Sequence, residues 1–170
     1  MLETHPFKNF VPRNVKYLLL GSFTSKTVTT DSNYDWYYCS SRNQFWPIIE
    51  EVYDIRLATT AAKKKFLRNL GIGVADIIRQ CERSAGNSLD ANLTGIVYNP
   101  RLRTILTRKP ISKIFFTSRF VEKLYRKVFG DLVEELTSIE LMTLPSPSPR
   151  YATMTRSEKV ERYKQLLPYL

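Results

Sequence analysis

Residues 14–25 read NVKYLLLGSFTS, an apolar run that stops at Gly21 and continues in small hydroxylated residues around one phenylalanine. A short unbroken run of this kind predicts a strand buried on both faces and ending at Gly21. Residues 111–118, ISKIFFTS, and residues 138–146, SIELMTLPS, repeat the pattern. Each runs from apolar residues into a loop rich in serine, threonine or proline. Strands buried on both faces need helices on both sides, so these stretches argue for a layered α/β fold around a mainly parallel sheet.

The segments between them supply the helices. RNQFWPIIEEVYDIRLA (42–58) spaces Phe45, Ile48, Ile49 and Val52 along one helical face. It begins near Asn43 and carries Pro47 in its first turn, where proline is tolerated. TTAAKKKFLRNLGIG (59–73) predicts a helix with a threonine N-cap, Gly71 as its stop and Lys63–Lys65 on a solvated face. NPRLRTILTRK (99–109) predicts a short helix after Pro100. RFVEKLYRKVFG (119–130) turns Phe120, Val121, Leu124, Tyr125 and Val128 inward and leaves Arg119, Lys123, Arg126 and Lys127 wet. RSEKVERYKQLL (156–167) predicts a terminal helix. IGVADII (72–78) is a short apolar segment, and RQCERSAGNSLDANL (79–93) reads as a polar loop.

The expected architecture is a three-layer α/β/α sandwich with a central, mainly parallel four-stranded sheet, formed by one domain over residues 1–170. Ligands in such folds bind beyond the carboxyl ends of the strands. That points to GSFTS, FTSR and LPSPSPR.

A chain of 170 residues suits a single core. Its 26 Lys and Arg against 16 Asp and Glu give a formal charge of +10, which favours a polyanionic partner. Cys39, Cys81 and the single His5 are too few for a disulfide framework, a thiolate zinc site or a cysteine-ligated iron–sulfur cluster. No metal or other cofactor is expected. No stretch resembles a secretory signal or is long enough to span a bilayer, so a cytoplasmic protein without a membrane partner is expected.

Residues 37–46, YYCSSRNQFW, set an aromatic pair at each end of a polar stretch and contain no aliphatic residue. That composition suits a place where something flat is stacked and its edge read by hydrogen bonds. LLLGSFTS, YYCSSRNQFW and LPSPSPRYA together resemble the motifs of the uracil-DNA glycosylase superfamily, and within it most nearly the hypoxanthine-DNA glycosylase branch, family 6. Members of that branch show Gly-Ser-Phe-Pro-Ser after the first strand, a Tyr-Tyr…Asn-x-Phe-Trp block, a Gly-Ser-Leu-Asp stretch and Leu-Pro-Ser-x-Ser-Pro. Here these correspond to Gly21–Ser25, Tyr37–Trp46, GNSLD at Gly86–Asp90 and Leu144–Pro149. The chain departs from the branch at Thr24, where proline is usual, and at Ser41, in a region that usually carries His-Pro. It departs also at Asn87, an insertion, and at Ala75, where a bulky residue is common.

The resemblance implies a monofunctional DNA glycosylase acting on deaminated bases, hypoxanthine or uracil, without a cofactor and as a monomer. Its partner would be DNA containing a damaged base. Such an enzyme flips the nucleotide out of the duplex, holds the base, and stabilises charge as the glycosidic bond breaks. By resemblance Asn43 is the catalytic candidate. Ser22, Phe23, Ser25, Tyr38 and Ser118 are candidates for the base pocket, with Tyr38 as the stacking face. Arg119, Ser146, Pro147, Ser148, Arg150 and Tyr151 are candidates for DNA contact, the last five in an intercalation loop.

Each residue also has a plainer reading. Asn43 can cap the helix that follows, Ser118 can cap another, Tyr38 can pack in the core, and a Pro/Ser loop can be mere surface. Asp76 and Asp90 are alternative carboxylates for positioning a water, Asp90 also as a helix cap. A different class of function stays open as well: a catalytically weak member of the fold that binds nucleic acid without cutting it.

Overall fold

The computed structural model describes residues 2–84 and 90–169. The chain runs through β1 (Leu2–Thr4), β2 (Tyr17–Gly21), α1 (Phe45–Tyr53), α2 (Thr60–Leu70), β3 (Ile72–Asp76), β4 (Ile78–Arg83), β5 (Leu93–Tyr98), α3 (Arg101–Arg108), β6 (Lys113–Phe116), α4 (Arg119–Val128), α5 (Gly130–Glu135), β7 (Glu140–Thr143) and α6 (Arg156–Leu166). Of the GNSLD stretch, residues 86–89 lie outside the described residues and Asp90 within them.

The central sheet has the order β3-β2-β6-β7, and every neighbouring pair is parallel. Successive side chains of a strand point to opposite faces, and the core divides accordingly. Leu18, Leu20, Ile114 and Phe116 pack with Leu102 and Ile105 of α3 and with Val121 and Tyr125 of α4. Leu19, Val74 and Phe115 pack on the other face with Ile48 and Ile49 of α1, Phe66 and Leu67 of α2, and Val160 and Tyr163 of α6. This is the three-layer sandwich expected from the sequence.

Local signals set the helix ends. The Thr59 side chain accepts the Ala62 N–H at the start of α2, and Gly71, at φ 69°, ends it in the left-handed region that glycine enters without steric cost. Thr155 and Glu158 form a reciprocal capping box at the start of α6.

Two expectations need correction. Residues 79–93 are not one polar loop: β4 and β5 pair there, and with β1 they form a second, antiparallel sheet of order β1-β4-β5. Its inward side chains, Cys81 and Leu93, join the core beside Ile77 and Ile78. Nor is Lys63–Lys65 only a solvated face. Lys63 lies 5.4 Å from the centre of the Trp46 ring and Lys64 5.3 Å from that of Trp36, so their ammonium groups rest on indole faces.

Chain order and sheet order together fix where a site can form. From β2 the chain crosses to β3 on one side and later to β6 on the other, so direction reverses beside β2. The crevice at such a reversal, beyond the carboxyl ends, is where these sheets receive ligands. Gly21 pairs with Asp76, Leu20 with Phe116, and Phe116 with Thr143, which brings the four strand ends into one row.

Candidate active site

Beyond that row lies a cleft of about 1120 Å³. The loops after β2, β6 and β7 all contribute to it, and so does the block that leads into α1. Every residue singled out from the sequence is on its wall: Asn43, Ser22, Phe23, Ser25, Tyr38, Ser118, Arg119, Ser146, Pro147, Ser148, Arg150 and Tyr151.

Asn43 sits just ahead of α1. Its side-chain oxygen accepts the Phe45 N–H at 2.9 Å, a local bond that fixes the amide as part of the helix entry. That bond uses one lone pair of the oxygen and leaves both amide N–H groups free to donate. Asn43 is not the N-cap itself: that position is Gln44, and the Asn43 side chain closes the turn that precedes it. Ser118, by contrast, caps α4 by accepting the Val121 N–H while facing the cleft.

The loop after β2 is held from both sides. Ser22 donates its hydroxyl to Asp90 Oδ1 at 2.8 Å, and the Ser25 N–H is taken by the Tyr34 hydroxyl at 3.2 Å. Thr24 is buried, and its carbonyl accepts from the Arg83 guanidinium at 2.5 Å. Arg83 also lies 5.5 Å from the centre of the Phe23 ring. An arginine of the second sheet thus pins this loop through its backbone and its one aromatic side chain. Burial raises the Asp90 carboxyl above its ordinary range, and the Ser22 hydroxyl opposes that shift.

The loop after β7 is anchored from beneath by α6. Lys159, 1% exposed, donates to Gln44 Oε1 at 2.9 Å and to the Ser148 carbonyl at 3.1 Å. Tyr163 donates to the Pro145 carbonyl at 2.8 Å, and the Gln44 N–H donates to the Pro147 carbonyl at 2.9 Å. The Asn43 block and the Pro/Ser loop are therefore one mechanical unit. Burial lowers the Lys159 pKa, and its two carbonyl-type acceptors hold the ammonium in place. Lys159→Met keeps most of the packing but strips both acceptors of their donor. It is expected to cost about 1–3 kcal/mol and to speed amide exchange across residues 145–150, read by thermal melts and hydrogen exchange.

The floor of the cleft lies at Gly21 and Asp76. A Cβ placed on Gly21 would stand 2.3 Å from Asp76 Oδ1 and 2.6 Å from the Tyr38 hydroxyl, so only glycine fits here. Asp76 is 4% exposed, and its Oδ2 is bonded to His5 Nε2 at 2.8 Å. His5 is buried too, with its Nδ1 3.1 Å from the Phe7 N–H. Asp76 Oδ1 and the Tyr38 hydroxyl are buried and make no hydrogen bond with any described residue. Tyr38 also holds φ at 59°, a conformation that strains a bulky residue. Its phenol is driven well above its ordinary pKa, first by burial and next by the Asp76 charge. The sequence marks Asp76 only as a carboxylate near an unusual loop, and it gives no sign of His5, Arg83 or Lys159 as parts of the site.

Charge is graded across the cleft. Its exposed rim carries Arg42, Arg119, Arg150 and Arg162, whereas Asp76 and Asp90 lie deep, and no lysine is on its wall among the described residues. Among the described residues no three His, Cys, Asp or Glu side chains are grouped as metal ligands would be. No helix among them is long and apolar enough to cross a membrane.

No protein-family model matches the chain, and no curated protein matches it. Among solved structures, the solution NMR structure of a "putative Uracil DNA glycosylase" from Methanosarcina acetivorans superposes with a TM-score of 0.70 at 24% identity. The match covers 98% of this chain and 99% of that one. The two chains share one fold over their whole length.

Proposed function

We propose that the chain is a monofunctional DNA glycosylase that releases a deaminated base, hypoxanthine or uracil, from DNA, and that it acts as a monomer. The observation that carries this reading is the convergence of three strand-end loops and the Asn43 block on one cleft with an arginine rim. The shared fold with the archaeal structure supports it.

In this reading Arg119 and Arg150, with the serines of the Pro/Ser loop, hold phosphates on either side of the lesion. Tyr151, exposed on this loop, fills the gap left by the flipped nucleotide, while buried Pro147 stiffens the loop. Phe23 and Tyr38 give the base an aromatic surface. The C1′–N bond breaks with both electrons going to the base, and the oxygen of a water adds to C1′. One proton of the water ends on the departing base, and the other stays on the oxygen now bonded to C1′. The Asn43 amide donates to the base as negative charge develops on it, a contribution stronger in the transition state than in the ground state. The lack of a lysine among the described cleft residues favours hydrolysis over a Schiff-base step.

The test is alkali-developed strand cleavage on end-labelled oligonucleotides, each carrying one hypoxanthine, uracil or xanthine or a thymine mismatch. Breaks at hypoxanthine or uracil are expected only after alkali. Breaks without alkali would overturn the monofunctional assignment. Salt-sensitive binding with no breaks on any substrate would leave a DNA-binding protein in place of an enzyme.

A further inference from the structure

Lys159 is 1% exposed, and among the described residues no carboxylate pairs with it. Taking an ammonium group out of water without a counter-charge is costly, so its presence under the Pro/Ser loop calls for an explanation. Its surroundings supply one. The ammonium donates to Gln44 Oε1 at 2.9 Å and to the Ser148 carbonyl at 3.1 Å. It also lies 5.4 Å from the centre of the Tyr151 ring, in cation–π contact. The same Ser148 carbonyl accepts the Tyr151 N–H at 3.1 Å, so Tyr151 is fastened to this point by its backbone and by its ring. Gln44 follows Asn43 in the chain and takes the N-cap position of α1 without a side-chain capping bond; its side-chain oxygen goes to Lys159 instead.

We propose that Lys159 is a positioning residue for base excision: its ammonium ties Tyr151 to the Asn43 block, so that entry of Tyr151 into the duplex and placement of the Asn43 amide at the base happen as one movement. This deepens the proposed function and rests on it.

The link matters because neither partner is useful alone. Flipping a nucleotide costs unstacking and unpairing, and the base returns to the stack unless its gap is filled. The Asn43 amide acts only on a base that stays in the cleft. Surface loops that are not fastened to one another move independently, which would let the gap be filled while the amide is out of place. An ammonium suits the fastening. Hydrogen bonds from a charged donor are stronger than neutral ones, and a single Nζ can hold a carbonyl, an amide oxygen and an aromatic face at once. Being buried, Lys159 cannot touch the phosphates itself and acts only through the groups it holds.

The experiment compares wild type, Lys159→Met and Thr155→Ala on duplexes carrying one hypoxanthine or one uracil, below the melting transition of all three. Thr155→Ala removes the cap of the same helix but no bond to either loop, so it reads helix weakening by itself. Single-turnover excision at saturating protein is measured beside affinity for non-cleavable 2′-fluoro analogues of the two lesions. Lys159→Met is expected to slow excision by about tenfold to a hundredfold, the scale for a displaced catalytic group, while leaving duplex affinity nearly unaltered. Thr155→Ala is expected to match wild type in both. Lys159→Met added to Tyr151→Ala or to Asn43→Ala should cost little more, because one end of the link is already gone and residues that act as a unit are not additive.

Wild-type excision by a folded Lys159→Met variant overturns the inference and leaves the glycosylase reading intact. So does a full further loss on top of Tyr151→Ala and Asn43→Ala, or an equal loss in Thr155→Ala, since either makes Lys159 a plain structural support. Should Lys159→Met not fold, Gln44→Met decides. It strips the link of its Asn43 end and is expected to slow excision by about tenfold or more at unaltered duplex affinity; undiminished excision there overturns the inference. Wild type that excises no deaminated base removes the proposed function and this inference with it.

Discussion

Asn43→Ala is expected to lower base excision by about 10²–10³-fold, the usual loss when one donor to a developing anion is removed. Duplex affinity should change little, because the rim arginines proposed to hold phosphates are untouched. The substitution also removes the acceptor of the Phe45 N–H, which should cost about 0.5–2 kcal/mol of stability. Asn43→Asp separates the two roles. A carboxylate still accepts the Phe45 N–H, and its charge is favourable at a helix N-terminus, so the fold should hold. What the carboxylate lacks is the amide donor. Single-turnover excision measured beside thermal melts reads both effects. Loss in both variants, with stability lost only in Asn43→Ala, assigns the chemistry to the amide nitrogen. Full activity in Asn43→Asp would make position 43 a site that activates water through an acceptor, and the donor role would be abandoned.

How well the sequence foretold this arrangement depended on how a segment's residues divide between faces. Leu18–Leu20 and Ile114–Phe116 are buried on both sides of the sheet, so their apolar runs could be read directly. The helices α1, α2, α3, α4 and α6 were equally legible, since signals such as the Thr59 cap and Gly71 stop are local, whereas the short α5 (Gly130–Glu135) was not foreseen. The second sheet was hidden. In β4 the inward positions are Ile78 and Cys81, separated by Arg79 and Gln80, and register shifts break the alternation on either side of Gln80. A bulged strand with one cysteine and one isoleucine facing the core carries no period of two. The walls of the site were found through motifs at strand ends, but its supports were not. His5 reaches Asp76 across 71 positions, and Lys159 occupies an inward face of α6 where a lysine reads as solvated. Such pairings exist only once the chain is folded.

Raising the pH above about 10 is expected to unfold the protein within one or two pH units, and the tyrosines set the direction. Tyr34, Tyr37, Tyr125 and Tyr163 are buried. Burial pushes the Tyr125 phenol up to about 12 and the other three higher still. In the unfolded chain each phenol titrates near 10. Between that value and the folded one, the folded state keeps protons that the unfolded state has lost. Stability is therefore complete below pH 10 and falls as pH rises through the folded values. Each such phenol removes about 1.4 kcal/mol per pH unit, so four acting together rival a whole domain's stability of about 5–15 kcal/mol. Lys159 acts in the opposite sense. Its lowered pKa means the unfolded state holds the extra proton, so stability gains with pH below the free lysine value. One amine cannot offset four phenols. Circular dichroism and tyrosinate absorbance, followed through one titration, should change together. Tyrosinate appearing smoothly around pH 10 in a folded chain would show the phenols to be accessible and the prediction wrong. Tyr163→Phe should move the transition to higher pH even though it gives up the bond to Pro145. Tyr34 and Tyr37 line the cleft and Tyr163 supports the loop beside it, so alkaline unfolding removes the walls of the site as it removes the core.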